Sequence, residues 1–205
     1  VPGVERLLDR FRAAHTQVLG VSVDSRHCHA GWAVSLGGIS FPLLEDFHPK
    51  GAVARAYGLY LEDEGITDRA TVIIDAQGIV RHASSVTPAG ARNIEELAAL
   101  CEAVDREHGA GLPPIPEPVG LEPDTVLYVK SSCGFSLRTL QARQNLHLEQ
   151  LLPVRNVTED PAAMETVQRL AGVQQAPCLV VGGKPMLESA EIIRYLTGRM
   201  TDLPG

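Results

Sequence analysis

What the chain lacks narrows its class first. It has no excess of basic residues: 18 Lys and Arg stand against 25 Asp and Glu, giving a formal charge of −7. With a pI near 5.5 this argues against nucleic acid or anionic membrane as the main partner, since both require a basic face. No apolar run approaches the roughly 20 residues of a membrane-spanning helix, and the longest, such as Cys178–Val181, are strand-sized. No Cys-x-x-Cys pair occurs, and Cys28, Cys101, Cys133 and Cys178 are too few and too scattered for a secreted disulfide scaffold or a zinc knuckle. The expectation is a reducing, cytoplasmic setting in which each thiol is judged singly. The first residue is Val1 rather than methionine, with no signal-peptide n-region or h-region after it. Val4, Leu7, Leu8 and Phe11 recur at helical spacing, so the chain opens inside an amphipathic helix and is expected to be an N-terminally truncated form of something longer.

What is present is a globular composition. The 205 residues, 44% of them hydrophobic, suit one large domain or two small ones. Prolines 113, 114, 116, 118 and 123 crowd one stretch. Proline fixes φ and lacks an amide proton, so the stretch reads as a semi-rigid connection. This predicts a first domain over residues 1–109, a linker over 110–123 and a second domain over 124–205. The other reading is a long surface loop within one domain.

Before the linker, strand signals at Gln17–Val23 and Phe41–Leu44 alternate with helix signals at His27–Leu36 and Ala52–Tyr57. Thr71–Asp75 and Ile79–Ala83 flank Ala76-Gln77-Gly78 as a hairpin, and Asn93–Glu107 places Ile94, Leu97, Ala98 and Cys101 on one helical face. After the linker come strand Thr125–Val129, helix Phe135–Asn145 and strand Gln150–Val157, which Pro153 limits to an edge. Asp160-Pro161 then caps a helix to about Leu170, Pro177–Val181 is a strand, Gly182–Pro185 a turn and Ser189–Leu196 a closing helix. Both halves are α/β, and the second has the β-α-β-α-β-β-α order of a thioredoxin-like domain.

The chemical signal is Lys130-Ser131-Ser132-Cys133-Gly134-Phe135-Ser136, between a strand and a helix. A cysteine at a helix N-terminus faces unpaired amides and the positive end of the dipole, which favour its thiolate. Lys130 adds positive charge, Gly134 leaves room for a substrate disulfide, and Phe135 can flank a bound peptide. A proline at position 177, if cis, would expose the backbone of Ala176 to an extended peptide. At Glu188-Ser189 a helix N-terminus and a hydroxyl offer a carboxylate site. Together these suit glutathione, a small acidic peptide that carries a thiol. Cys178 reads as buried in an apolar strand, the alternative being a resolving thiol for Cys133.

On these residues, Asp124–Met200 resembles a glutaredoxin, with Cys133-Gly134-Phe135-Ser136 as its monothiol signature. The stretch from Ala176-Pro177-Cys178-Leu179 to Lys184-Pro185-Met186-Leu187-Glu188-Ser189 is closer to the glutathione-binding domain of glutathione transferases. The resemblance implies Cys133 as nucleophile, Ala176 and cis Pro177 on the glutathione backbone, and Glu188 and Ser189 on its γ-glutamyl end. Monothiol glutaredoxins often share a [2Fe–2S] cluster. This chain lacks their longer loop before the cysteine and their glycine-rich γ-glutamyl site, so thiol–disulfide exchange is favoured, with glutathione as cosubstrate and no tightly bound cofactor or metal.

The first half, Val1–His108, resembles a peroxiredoxin of the alkyl hydroperoxide reductase and thiol-specific antioxidant class. The matching stretches are Gly20-Val21-Ser22-Val23-Asp24-Ser25, His29-Ala30-Gly31-Trp32, Phe41-Pro42-Leu43-Leu44, Ala56-Tyr57-Gly58 and Arg69-Ala70-Thr71-Val72-Ile73-Ile74-Asp75-Ala76-Gln77-Gly78. The resemblance implies that Arg69 stabilises a peroxidatic thiolate and orients the peroxide; taken alone, Arg69 reads equally as a surface ion-pair residue. The peroxidatic cysteine itself is absent, its expected place being a few residues upstream of Val1: either the parent has it and this chain is a truncated product, or the protein has lost it, and as given the chain is not expected to reduce peroxide at the usual site. Cys28, in His27-Cys28-His29, reads as a structural cysteine or as a resolving or redox-sensitive thiol; a metal reading lacks further ligands. The combined expectation is a glutathione-dependent peroxidase in the full-length form, with peroxides as substrates and Cys133 reducing the oxidised or glutathionylated peroxidatic cysteine. The alternatives are a glutathione-dependent disulfide oxidoreductase without peroxidase activity, and a redox-sensing or iron–sulfur-carrying adaptor. A homodimer is implied by the peroxiredoxin resemblance.

Overall fold

The computed structural model describes residues 1–201. It divides into two compact units, one formed by Val1–His29 and Phe41–Ile115, the other by Ala30–Ser40 and the chain from Pro116. In order, the elements are α1 (Pro2–Glu5), α2 (Leu8–Ala13), β1 (Gly20–Ser22), α3 (Arg26–Ser35), β2 (Leu43–Glu45), α4 (Ala52–Ala56), β3 (Tyr60–Leu61), β4 (Ile66–Thr67), β5 (Ala70–Ile74), β6 (Val80–Ser85), α5 (Ile94–His108), β7 (Val126–Val129), α6 (Gly134–Asn145), β8 (Val154–Asn156), α7 (Pro161–Ala171), β9 (Cys178–Val181), β10 (Lys184–Met186) and α8 (Ser189–Met200).

In the second unit β7 is central in a sheet of order β10-β9-β7-β8, parallel to β8 and antiparallel to β9. Side chains alternate across a strand, so β7 and β9 each supply two cores. Leu127, Val129 and Leu179 pack with Leu146, Leu148, Leu152, Ile192 and Leu196. Tyr128, Cys178 and Val180 pack with Val157, Ala163 and Val167. Each fully buried Leu or Ile contributes about 1.5–3 kcal/mol relative to exposure. Asp160 starts α7 by accepting the Ala163 N–H at 3.2 Å, and Gly172, at φ 74, ends it in the left-handed conformation that favours glycine. Gly120 and Arg199 exchange bonds: the Gly120 N–H donates to the Arg199 carbonyl at 2.9 Å, and Arg199 Nε returns to the Gly120 carbonyl at 2.6 Å. The end of the proline-rich stretch is thereby tied to α8.

In the first unit β1 pairs with β2 in parallel, and β3–β4 and β5–β6 are antiparallel pairs. Phe11 and Ala14 meet Ile73, Ala98 and Cys101 in its core, with Val4, Leu7 and Ile94 against them. The Arg10 guanidinium pairs with Glu102 at 2.8 Å and also with Glu95, and His15 Nδ1 lies 2.8 Å from the Asp105 carboxylate, fastening the opening segment to α5. Asp46 is 4% exposed and its carboxylate accepts the N–H groups of Val53 and Ala54 at 3.0 and 2.9 Å, satisfying the first turn of α4.

Several elements differ from the sequence expectation. The opening amphipathic helix is two short helices broken at Arg6-Leu7, although Val4, Leu7 and Phe11 do share the core. Gln17–Val23 narrows to β1, and Phe41–Leu44 shifts to β2. Gln150–Val157 yields only β8, because the Leu152 N–H bonds back to the Leu148 carbonyl at 2.8 Å and a helical turn buries both leucines. Lys184 and Pro185, read as turn, lie in β10. Pro185 is tolerated because β10 is an edge strand, where a missing donor breaks no ladder.

Candidate active site

Cys133 is the N-cap of α6, in extended conformation at φ −106 and ψ 117, directly after Ser132 at φ +56. It is partly exposed. The Ser136 N–H is the largest influence holding its pKa below the ordinary thiol range. Partial burial opposes that, while the Ser136 hydroxyl, the Phe135 N–H and the Lys130 charge add to it. The helix-terminus argument from sequence is therefore realised by named donors.

Across from the thiol is the carbonyl of Ala176, 4.0 Å from Cys133 Sγ, and the Ala176–Pro177 bond is cis. Gln175, one residue earlier, donates from Nε2 to the Glu188 carboxylate at 3.1 Å. Glu188 is exposed and is itself the N-cap of α8, at φ 68; Ser189, 9% exposed, begins that helix. The structure thus links Lys130 and Cys133 through charge, Cys133 and Ala176 through contact, and the stretch before Pro177 to Glu188 through Gln175. Phe135 is 59% exposed and lies under Arg138, whose guanidinium carbon is 5.6 Å from the ring centroid. A thiolate beside an open backbone carbonyl and an exposed aromatic ring can attack a disulfide presented by an extended peptide.

Two contributors escape the sequence reading. Ser136 is 1% exposed and accepts the Lys130 N–H at 3.0 Å. Its only advance signal is its place in the Cys-Gly-Phe-Ser motif. Gln175 carries no signal beyond adjacency to Ala176.

Cys178 is fully buried, and burial pushes its thiol up while the Met186 N–H opposes this. This supports the core reading over the resolving one. Cys101 is likewise buried and pushed up by desolvation. Cys28 is exposed on the first turn of α3, with Sγ donating to Asp24 Oδ1 at 3.7 Å. Its neighbour His29 is 6% exposed and its Nε2 meets the Ser22 hydroxyl at 2.8 Å. Among the described residues no group of three His, Cys, Asp or Glu is placed to hold a metal ion. Arg69 donates from Nη1 to the Gly90 carbonyl at 2.9 Å. The half-buried Arg92 is pushed down by burial and then by the Arg69 charge, and its Nε is buried without a hydrogen-bond partner among the described residues. The Arg69 and Arg92 charges thus act on one another in the first unit, with the Asp68 charge opposing, while Cys28 bonds elsewhere.

No helix among the described residues is long and apolar enough to cross a membrane. Residues 1–83 match the AhpC/TSA family and residues 125–186 match glutaredoxin. The alkyl hydroperoxide reductase E of Mycobacterium tuberculosis (strain ATCC 25618 / H37Rv) is 39% identical over 97 residues, covering 45% of this chain and 63% of that protein. Peroxiredoxin-4 of Bos taurus is 37% identical over 131 residues, covering 55% of this chain and 47% of that protein. The chain thus spans less than two thirds of the length of these relatives. The solved structure of Mycobacterium tuberculosis AhpC is 30% identical, with a TM-score of 0.46, covering 50% of this chain and 61% of that one. The chain thus joins an AhpC/TSA segment at its N-terminal side to a glutaredoxin domain at its C-terminal side, an α/β polypeptide of thioredoxin-fold parts.

Proposed function

We propose that the protein is a thiol-dependent antioxidant oxidoreductase in which Cys133 performs glutathione-dependent thiol–disulfide exchange. The carrying observation is the Cys133 thiol at the start of α6, lowered chiefly by the Ser136 N–H and 4.0 Å from the Ala176 carbonyl. The thiolate attacks the glutathione sulfur of a mixed disulfide. The old S–S bond breaks, the substrate leaves as its own thiolate, and Cys133 becomes glutathionylated. A glutathione thiolate then attacks the glutathione sulfur held on Cys133, releasing oxidised glutathione and restoring the Cys133 thiolate. Lys130, Phe135, Ala176, Pro177, Glu188 and Ser189 form the proposed glutathione site, and no tightly bound cofactor enters the reaction.

Where a peroxidatic cysteine precedes the peroxiredoxin segment, that cysteine in its glutathionylated form is the substrate of this exchange. That thiolate reduces a peroxide and becomes a sulfenic acid, which condenses with glutathione to a mixed disulfide and water. The mutual influence of the Arg69 and Arg92 charges supports this reading, since guanidinium groups near one another stabilise a thiolate and a polarised peroxide oxygen. Joining both halves in one chain raises the effective concentration of reductant at its substrate. Pairing of two chains and a cytoplasmic location complete the proposal.

The test is reduction of a glutathionylated peptide by this chain. Turnover that requires reduced glutathione and disappears in Cys133→Ser is expected; equal turnover in wild type and variant would remove Cys133 from the role.

A further inference from the structure

The segment that delivers Cys133 is braced from a second loop, whose residues have no part in the proposed binding or chemistry. The Ser131 N–H donates to Thr158 Oγ1 at 3.1 Å, and the Ser131 hydroxyl donates to Glu159 Oε1 at 3.2 Å. Asn156 Nδ2 donates both to Ser131 Oγ, at 2.8 Å, and to Glu159 Oε1, at 2.7 Å. Asn156 Oδ1 in turn accepts the Thr158 N–H at 3.0 Å. One amide side chain therefore fixes both the loop it belongs to and the loop that precedes the nucleophile. The brace stands on rigid ground, because Asn156 ends β8 opposite Val129 at the end of β7, and the Val157 N–H donates to the Val129 carbonyl at 2.8 Å.

The strain at Ser132, between Ser131 and the nucleophile, makes the brace necessary. Ser132 sits at φ +56, a conformation a residue with a Cβ adopts at a cost of about 1–2 kcal/mol. Such a conformation persists only where its surroundings hold it. Lys130 is held on the other side by Ser136, leaving Ser131 as the fixed point before the turn.

We propose that Asn156, with Thr158 and Glu159, is a positioning element for Cys133: by pinning Ser131 it keeps the Lys130–Ser132 turn in the conformation that aims the thiol at the helix amides and the Ala176 carbonyl. The proposal rests on Cys133 being the exchanging thiol. Loosening the brace leaves the nucleophile present but spreads its orientations, so the amides and Lys130 stabilise the thiolate for a smaller fraction of the time. Asn156 touches no substrate and acts through Ser131.

The experiment is the pH profile of Cys133 alkylation by iodoacetamide, measured on the chain carrying Cys28→Ser, with thermal melts alongside. In Asn156→Ala the profile moves to higher pH and the rate at pH 7 falls about threefold or more, following the thiolate fraction. Thr158→Val, which deletes the acceptor of the Ser131 N–H, moves the profile in the same direction, and Thr158→Ser, which keeps it, restores the wild-type profile. A merely structural role lowers the melting temperature and leaves the profile in place. Unchanged profiles in both Asn156→Ala and Thr158→Val, with normal exchange on glutathione mixed disulfides, would overturn the brace alone. Absence of exchange in the Asn156-intact chain would overturn the reading of Cys133 on which the brace rests.

Discussion

The Lys130 N–H donates to the hydroxyl oxygen of Ser136 at 3.0 Å. With a lone pair so occupied, the hydroxyl proton is free to point at the Cys133 sulfur, and the Ser136 hydroxyl is indeed among the groups that hold this thiol down. A single buried serine thus joins the strand end, the helix start and the nucleophile.

Ser136→Ala removes that donor and orphans the Lys130 N–H. The variant should lose about 1 kcal/mol of stability, as for one lost hydrogen bond, and its Cys133 alkylation profile should move to higher pH. The Ser136 N–H, the larger influence, remains, so thiolate formation is weakened but not abolished. Thermal melts and iodoacetamide kinetics against pH check both halves of this expectation.

Three of the four thiols should separate cleanly by reactivity. Cys133 is lowered, whereas Cys101 and Cys178 are raised by burial. Peptide mapping after brief alkylation at neutral pH should find Cys133 modified and Cys101 and Cys178 untouched until the chain is denatured. Because the folded state lowers the Cys133 pKa, its thiolate adds stability that is complete above the unfolded thiol's range. That contribution is lost as pH falls through the folded value.

Asp75 should make the first unit acid-sensitive. Its side chain is 1% exposed, and burial alone would raise its pKa. The N–H of Ile79, the Arg81 guanidinium at 2.6 Å and the N–H of Gln77 outweigh burial and hold the carboxyl below the usual range. The carboxylate's contribution is present above the unfolded Asp value and disappears as pH falls through the lower folded value. Asp75→Asn should therefore flatten the acid limb of a melting-temperature profile, and a wild-type profile with the same slope would contradict it.

Asp46→Ala should cost about 1–2 kcal/mol, the range of a lost helix cap. The carboxylate serves the first turn of α4 from five residues before the formal N-cap, Gly51. Chemical denaturation of wild type and variant gives the difference directly.

That Asp46 cap shows where a sequence stops being legible. Local patterns revealed the strand–Cys133–helix unit, the cap at Asp160 and the helical face of Ala98 and Cys101, because each is decided by neighbours a few positions away. The alternation that buries Cys178 was equally visible in the run Cys178–Val181. Ser136, Gln175 and Asn156 were not legible as parts of the site. Their roles depend on Lys130, Glu188 and Ser131 arriving beside them, and pairs such as Asn156 and Ser131 meet only because β7 and β8 lie side by side in parallel. The turn that replaces the start of the expected strand at Gln150 was hidden for a related reason. Leu148 and Leu152 repeat at four-residue spacing, but in a segment this short a strand and a helical turn bury leucines equally well.

The most direct test of the account is the intact mass of the chain after exposure to oxidised glutathione, beside the Cys133→Ser and Cys28→Ser variants. The account predicts one glutathione adduct in wild type, retained in Cys28→Ser, absent in Cys133→Ser and removed by excess reduced glutathione. No adduct on wild type, or an adduct that persists in Cys133→Ser, would contradict it.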